Sequence, residues 1–179
     1  MQLPAAYAAT LAAVREVFPG AMIAGGALRD LDNDRPVKDL DIFAPDVPDL
    51  DLLRSRAAGL LRPGALMGVM GGYESWATAE CVGVLDISGP LSDFQLIGLR
   101  SGPETIIPRL DFGICQIGHT GEQLIVTPAY LADKANQTFT LVRSDDDAQR
   151  DRSVRRHERL AEKYPGWRFI DPNDPFVLN

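Results

Sequence analysis

A short apolar run that stops on two glycines constrains this chain more than any other feature. Ala21-Met22-Ile23-Ala24 leads directly into Gly25-Gly26, and Ala27 to Leu31 has the composition of opening helical turns. From Lys38 to Phe43 the period changes: Leu40 and Ile42 fall on one side, Asp39, Asp41 and Phe43 on the other, which is the alternation of a strand. A strand, a glycine break, a helix and a returning strand commit residues 21–43 to an α/β arrangement.

The flanking sequence extends that pattern. Tyr7 to Phe18 is alanine-rich with helical spacing and is closed by Pro19-Gly20. Asp49 to Leu61 predicts an amphipathic helix, acidic at its start and basic at its end, as a helix dipole favours. Gly64 to Trp76 is glycine-rich and carries no clear period. Thr78 to Ile87 and Phe94 to Leu99 predict a hairpin about Ser88-Gly89-Pro90. Leu110 to Ile117 fits a strand or a helix. Gln123 to Val126 and Thr138 to Val142 read as extended, Thr127 to Asn136 as a helix opened by Thr-Pro, and Asp145 to Tyr164 as a charged helix stopped by Pro165-Gly166. The tail from Asp171 reads as irregular. The expected fold is α/β (α+β), a small mixed sheet flanked by helices, with a head over 1–142 and a short helical C-terminal extension over 143–179.

Composition narrows the function classes. A net charge of −7 argues against broad, non-specific nucleic-acid binding, which requires a basic surface. Five arginines on the predicted helix, Arg150, Arg152, Arg155, Arg156 and Arg159, leave room for a local basic groove, or for a solvated helix with i,i+4 pairs to acidic neighbours. Cys81 and Cys115 form no Cys-x-x-Cys pair, and His119 and His157 no His-Glu-x-x-His motif, so zinc is not expected. The cysteines read as reduced, buried thiols, the histidines as surface or turn residues, and Trp76 and Trp167 as core or anchor residues. Neither a signal peptide nor a membrane-length apolar run is present, so a cytoplasmic location with no membrane partner is expected.

The first motif carries coherent chemistry. A strand ending in two glycines lets the backbone approach a phosphate closely, and a following helix start adds positive potential there. Carboxylates at i and i+2 of a strand project from one face. They can share hard cations such as magnesium, and two such ions clamp an in-line transfer at phosphorus.

Gly25-Gly26-Ala27-Leu28-Arg29-Asp30 with Lys38-Asp39-Leu40-Asp41 resembles the head-domain motif of bacterial-type CCA-adding enzymes and poly(A) polymerases, in the DNA polymerase β-like nucleotidyltransferase superfamily. The resemblance implies that Gly25 and Gly26 hold the triphosphate, that Asp39 and Asp41 bind two magnesium ions, and that Arg29 and Asp30 match the family's Arg-Asp. Pro108-Arg109-Leu110-Asp111-Phe112-Gly113-Ile114-Cys115 is similar to the family's ribose-contacting segment at Arg109, Asp111 and Phe112, and departs from it at Leu110, Gly113 and Cys115. The arginine-spaced helix, Arg156 included, is similar to the family's base-reading helix. A third family carboxylate aligns with Gln95, which can offer magnesium a carbonyl oxygen but cannot act as a base; Asp93, on the same face, and Asp86, on the preceding strand, are its candidate substitutes.

The resemblance implies transfer of a nucleoside monophosphate from an NTP to an acceptor, with Asp39, Asp41, Asp93 and Arg29 in the catalytic set. Gly25, Gly26, Arg29, Asp30, Arg109, Asp111 and Arg156 would hold the nucleotide, and Asp39, Asp41 and Gln95 the metal. The acceptor stays open between an RNA 3′ end, a protein and a small molecule, and reduced heads of this kind imply a phage-type origin. The alternatives are a catalytically impaired nucleotide-binding regulatory module, favoured by Gln95, and a structural or partner-binding protein with a relic site.

Overall fold

The computed structural model describes residues 1–69 and 80–173. The expectations for 70–79, among them Trp76 and the start of the predicted hairpin, and for 174–179 lie outside the described residues. In chain order the described elements are α1 (Ala5–Val17), β1 (Met22–Ala24), α2 (Gly26–Asp32), β2 (Asp41–Ala44), α3 (Leu50–Ala57), β3 (Gly68–Val69), β4 (Cys81–Ser88), β5 (Asp93–Leu99), β6 (Ile117–His119), β7 (Leu124–Val126), α4 (Pro128–Asn136), β8 (Thr138–Thr140), α5 (Asp147–Ala161) and β9 (Arg168–Ile170).

Among the described residues seven strands form one sheet in the order β3-β4-β5-β2-β1-β6-β7. β2 and β5 run parallel and the other neighbours antiparallel, so the sheet is mixed, as expected. β1 is buried at all three positions, which is why its sequence is continuously apolar rather than alternating. α3 lies against β4 and β5, where a Cβ on Gly98 would come within 2.8 Å of Leu53; glycine permits that approach. α3 starts on Asp49, whose carboxylate accepts from the Leu52 amide at 2.8 Å, and α4 on Thr127, whose hydroxyl accepts from the Tyr130 amide at 3.1 Å.

A second sheet pairs β8 with β9 in parallel. Phe112, Phe139, Phe169, Tyr164 and Trp167 pack edge-on or tilted between it and the C-terminal helix. His157 joins them half-buried, stacked on Phe169 at 4.8 Å, and His119, buried at the end of β6, accepts at Nδ1 from the Gly121 amide at 3.0 Å in the turn that follows, as a turn histidine would. Leu110 to Ile117 is neither strand nor helix throughout. A single helical turn over Gly113–Cys115 precedes β6, because the buried Asp133 carboxylate accepts from the Ile114 amide at 2.7 Å and fixes the bend. Cys81 and Cys115 are buried free thiols. No described helix is long and apolar enough to cross a membrane.

Candidate active site

Where β1 ends and α2 begins, Gly25 adopts φ +79°, a conformation that side-chain-bearing residues rarely take. Its amide donates to the Ile117 carbonyl at 2.9 Å, which ties the turn to β6 and leaves the close backbone approach to Gly26. Both glycines line a cavity of about 700 Å³, within the range of roughly 300–1,000 Å³ usual for small-molecule sites.

Asp41, the first residue of β2, stands on the cavity wall, with Gln95 directly opposite it on the parallel strand β5. The Asp41 carboxyl is pushed up to about 6, chiefly by burial; Arg156 works against the shift, Asp39 adds to it, and Arg29 and Lys38 oppose it. No hydrogen bond or ion pair reaches the Asp41 carboxylate among the described residues. Asp39 precedes the hydrogen-bonded part of the strand, because the ladder to β5 begins at Asp41; it is exposed, pairs with Lys38 at 3.3 Å and does not line the cavity. An under-neutralised carboxylate with a second two residues away is a donor set suited to a hard cation. Among the described residues no group of three or more acidic, histidine or cysteine side chains gathers around such an ion, so further ligands would be Gln95, backbone or water.

The C-terminal helix supplies another part of the lining. Arg152, Arg155, Arg156 and Arg159 recur at i, i+3, i+4 and i+7 of α5, and all four line the cavity. Arg150 does not; it pairs with the buried Asp171 at 2.6 Å. The helix is docked by Asp111, which is 8% exposed. Asp111 accepts from Arg156 at 2.9 Å, from the Ser153 hydroxyl at 2.8 Å and from the Phe112 amide at 3.0 Å. The charge of Asp111 is the largest influence on Arg156 and raises its pKa. Arg109 also lines the cavity, paired with Glu80.

The remaining expected residues lie elsewhere. Arg29 and Asp30 are each 3% exposed and sit behind the glycine turn, off the cavity wall. Arg29 donates twice to Asp30, at 2.9 and 2.7 Å, and to the Cys115 sulfur at 3.3 Å; Tyr164 donates to Asp30 at 2.7 Å, and Lys163 completes the cluster. Burial opposes the charge of Arg29, but Cys115, Asp30 and Tyr164 outweigh it and hold its pKa above the ordinary value. Ala27, Leu28, Arg29 and Asp30 are all buried, and because successive helix residues point about 100° apart, α2 is covered on nearly every side. Asp93 begins β5 exposed, 4.0 Å from Arg62 and away from the cavity wall. Arg143, which no motif marked, lines the cavity and donates to the Arg109 carbonyl at 2.7 Å.

No protein-family model and no curated protein matches the sequence. Solved structures do match. The Bacillus stearothermophilus CCA-adding enzyme in complex with CTP superposes with a TM-score of 0.62 at 14% identity, over 94% of this chain and 42% of that one. A CCA-adding enzyme in an apo form gives 0.65 at 13% identity, over 93% and 39%. A tRNA nucleotidyltransferase complexed with a primer tRNA and an incoming ATP analogue gives 0.60 at 16% identity, over 89% and 46%. The chain thus spans less than half the length of each of these structures. Its fold is that of a nucleotidyltransferase head of the CCA-adding type.

Proposed function

We propose that this chain is a nucleotidyltransferase that moves a nucleoside monophosphate from an NTP to an acceptor hydroxyl. The acceptor oxygen bonds to the α-phosphorus, the bond from that phosphorus to the β-phosphate bridge oxygen breaks, pyrophosphate leaves, and the hydroxyl proton passes to solvent. The observation that carries the reading is that Asp41, the glycine turn and the arginine face of α5 line one cavity. The solved structures that share the fold are named as complexes with CTP, an ATP analogue and a primer tRNA, which supports an NTP donor and an RNA 3′ end as acceptor.

Asp39, Asp41 and the Gln95 carbonyl oxygen would hold magnesium, and the expectation is of two ions. Magnesium bound there would neutralise charge on the attacking and leaving oxygens. Gly26 gives the phosphates access to the backbone, and the arginines of α5 bind phosphate and base edges as multiple fixed donors. Asp111 acts through Arg156, and Arg29 with Asp30 holds the glycine turn from behind. The proposed catalytic set omits Asp93, which is exposed and does not line the cavity.

The test is transfer of label from each α-³²P NTP, with magnesium, onto total RNA, tRNA and the protein itself. Transfer abolished in both Asp39→Ala and Asp41→Ala is the expected result; transfer that survives Asp41→Ala refutes the proposal. One observation favours a second reading, a nucleotide-binding module without turnover: the residue in register with Asp41 is an amide, which accepts no proton. Under that reading NTP binds without transfer, and Gln95→Glu creates transfer where the wild type has none.

A further inference from the structure

Asp86 pairs with Gln95, and the proposed reaction leaves Asp86 without a role. Asp86 of β4 stands opposite Gln95 of β5, which in turn stands opposite Asp41 of β2. Residues directly opposite share a face, so the three side chains make one row across three adjacent strands, with Gln95 in the middle. Asp86 and Asp41 are two strand spacings apart, roughly 9–10 Å in backbone terms. Gln95 stands between them, and Asp86 is exposed and does not line the cavity that Asp41 and Gln95 line. Asp86 is therefore no direct replacement for a third carboxylate.

It does touch the residue that stands there. Gln95 Nε2 donates to Asp86 Oδ1 at 3.3 Å. An ionised carboxylate only accepts, so Asp86 dictates which edge of the planar amide faces β4. The carbonyl oxygen then occupies the other edge, on the side of β2 and Asp41. We propose that Asp86 is a positioning residue that holds the Gln95 amide with its oxygen toward the Asp39–Asp41 pair, as a third, uncharged donor for a divalent cation. The inference rests on Asp39 and Asp41 being ion ligands. It gives a reason why glutamine is workable where an acid is expected: an isolated amide presents NH2 or oxygen to a cation with equal ease, whereas one anchored by its NH2 presents oxygen.

The probe is Mn²⁺, with its binding to the full chain read by the loss of the free-ion EPR signal at pH 7.5 and melting curves recorded alongside. Asp86 is exposed, so its variants are expected to fold. Asp86→Ala should weaken Mn²⁺ about tenfold, the lower end of what outer-shell partners contribute. Asp86→Asn can donate its own NH2 to the Gln95 oxygen and turn the amide round, so it too should weaken Mn²⁺. In a Gln95→Ala background, Asp86→Ala should add nothing further. A full effect of Asp86→Ala without Gln95 would mean that the charge acts directly and would overturn the proposal. Binding that Asp41→Ala abolishes but Asp86→Ala leaves unchanged overturns this proposal alone. Binding that Asp41→Ala leaves intact overturns the ion-site reading and this proposal with it.

Discussion

Asp30→Asn separates a structural role from a nucleotide-binding one. Asp30 and Arg29 are each 3% exposed, and the Asp30 carboxylate accepts from Arg29 twice, from Tyr164 and from Lys163. Asparagine keeps the volume but removes the charge, and its NH2 group meets neighbours that are donors. Breaking a buried pair while its cation stays in place costs about 3–5 kcal/mol. For a domain of this size each kcal/mol moves Tm by about 2–4 °C, so the variant should melt roughly 6–20 °C below wild type. Tyr164→Phe deletes one of these hydrogen bonds and should cost about 1 kcal/mol. Thermal unfolding by circular dichroism measures both, and NTP titration at 10 °C, where the variant is still folded, should find affinity close to wild type. A Tm within about 3 °C of wild type, together with lost NTP affinity, would refute the structural assignment and return Asp30 to the ligand.

Two further substitutions probe the cavity floor. Asp41→Asn should stabilise the ligand-free chain: with its carboxyl held at about 6, above an unfolded value near 4, the native state binds this proton more tightly, so stability falls as pH rises from 4 through 6. The variant should gain about 2 kcal/mol at pH 7.5, after allowance for partial exposure, and nothing near pH 4; a lower Tm at pH 7.5 would contradict the burial argument. Gly25→Ala forces a Cβ onto φ +79° and should cost about 1–3 kcal/mol in a urea melt, whereas a neutral result would mean that the turn relaxes freely.

The features legible in the sequence are those set within a few residues. The glycine turn and the helix starts at Asp49 and Thr127 depend on local dihedrals and caps, and the structure has them where the sequence indicated, whereas the strand expected from Lys38 begins only at Asp41 and is buried at Ile42, Phe43 and Ala44 alike rather than alternating. Arg29 and Asp30 were not readable in the same way. A charged pair just after a glycine turn looks ligand-facing, and what buries it, Tyr164 and Lys163, lies more than 130 residues away. Asp39 and Asp41 look equivalent in sequence, yet the register with β5 puts only Asp41 on the cavity wall. Arg143 follows an extended run with no motif, and β9 is three residues long and recognisable only by its pairing with β8. The third-acid position was legible as Gln95, because β5 alternates clearly; the amide's anchorage by Asp86 follows from pairing with β4, which the hairpin implied only in outline.

The arginine wall divides by what each cation already touches. Arg156 is held by Asp111, Arg109 by Glu80 and Arg143 by Asp145, so half of the six cavity arginines have their charge balanced before any ligand arrives. Arg152, Arg155 and Arg159 line the same wall and enter no ion pair among the described residues. In a chain of net charge −7 these three make a local positive field that would draw the proposed triphosphate into the cavity, while the acidic remainder would disfavour bulk nucleic acid. The two groups should therefore fail differently. Removing an uncompensated arginine, as in Arg152→Ala or Arg159→Ala, should weaken NTP binding about tenfold and flatten its salt dependence, with little change in Tm, since no folded-state partner is lost. Removing Arg156 should lower Tm as well, because Asp111, 8% exposed, then keeps its charge against only a hydroxyl and an amide. Isothermal titration at two salt concentrations beside a melt distinguishes them. If all of these variants lost affinity and stability in the same proportion, α5 would be a scaffold throughout and the triphosphate would have to be held by the glycine turn and the metal alone.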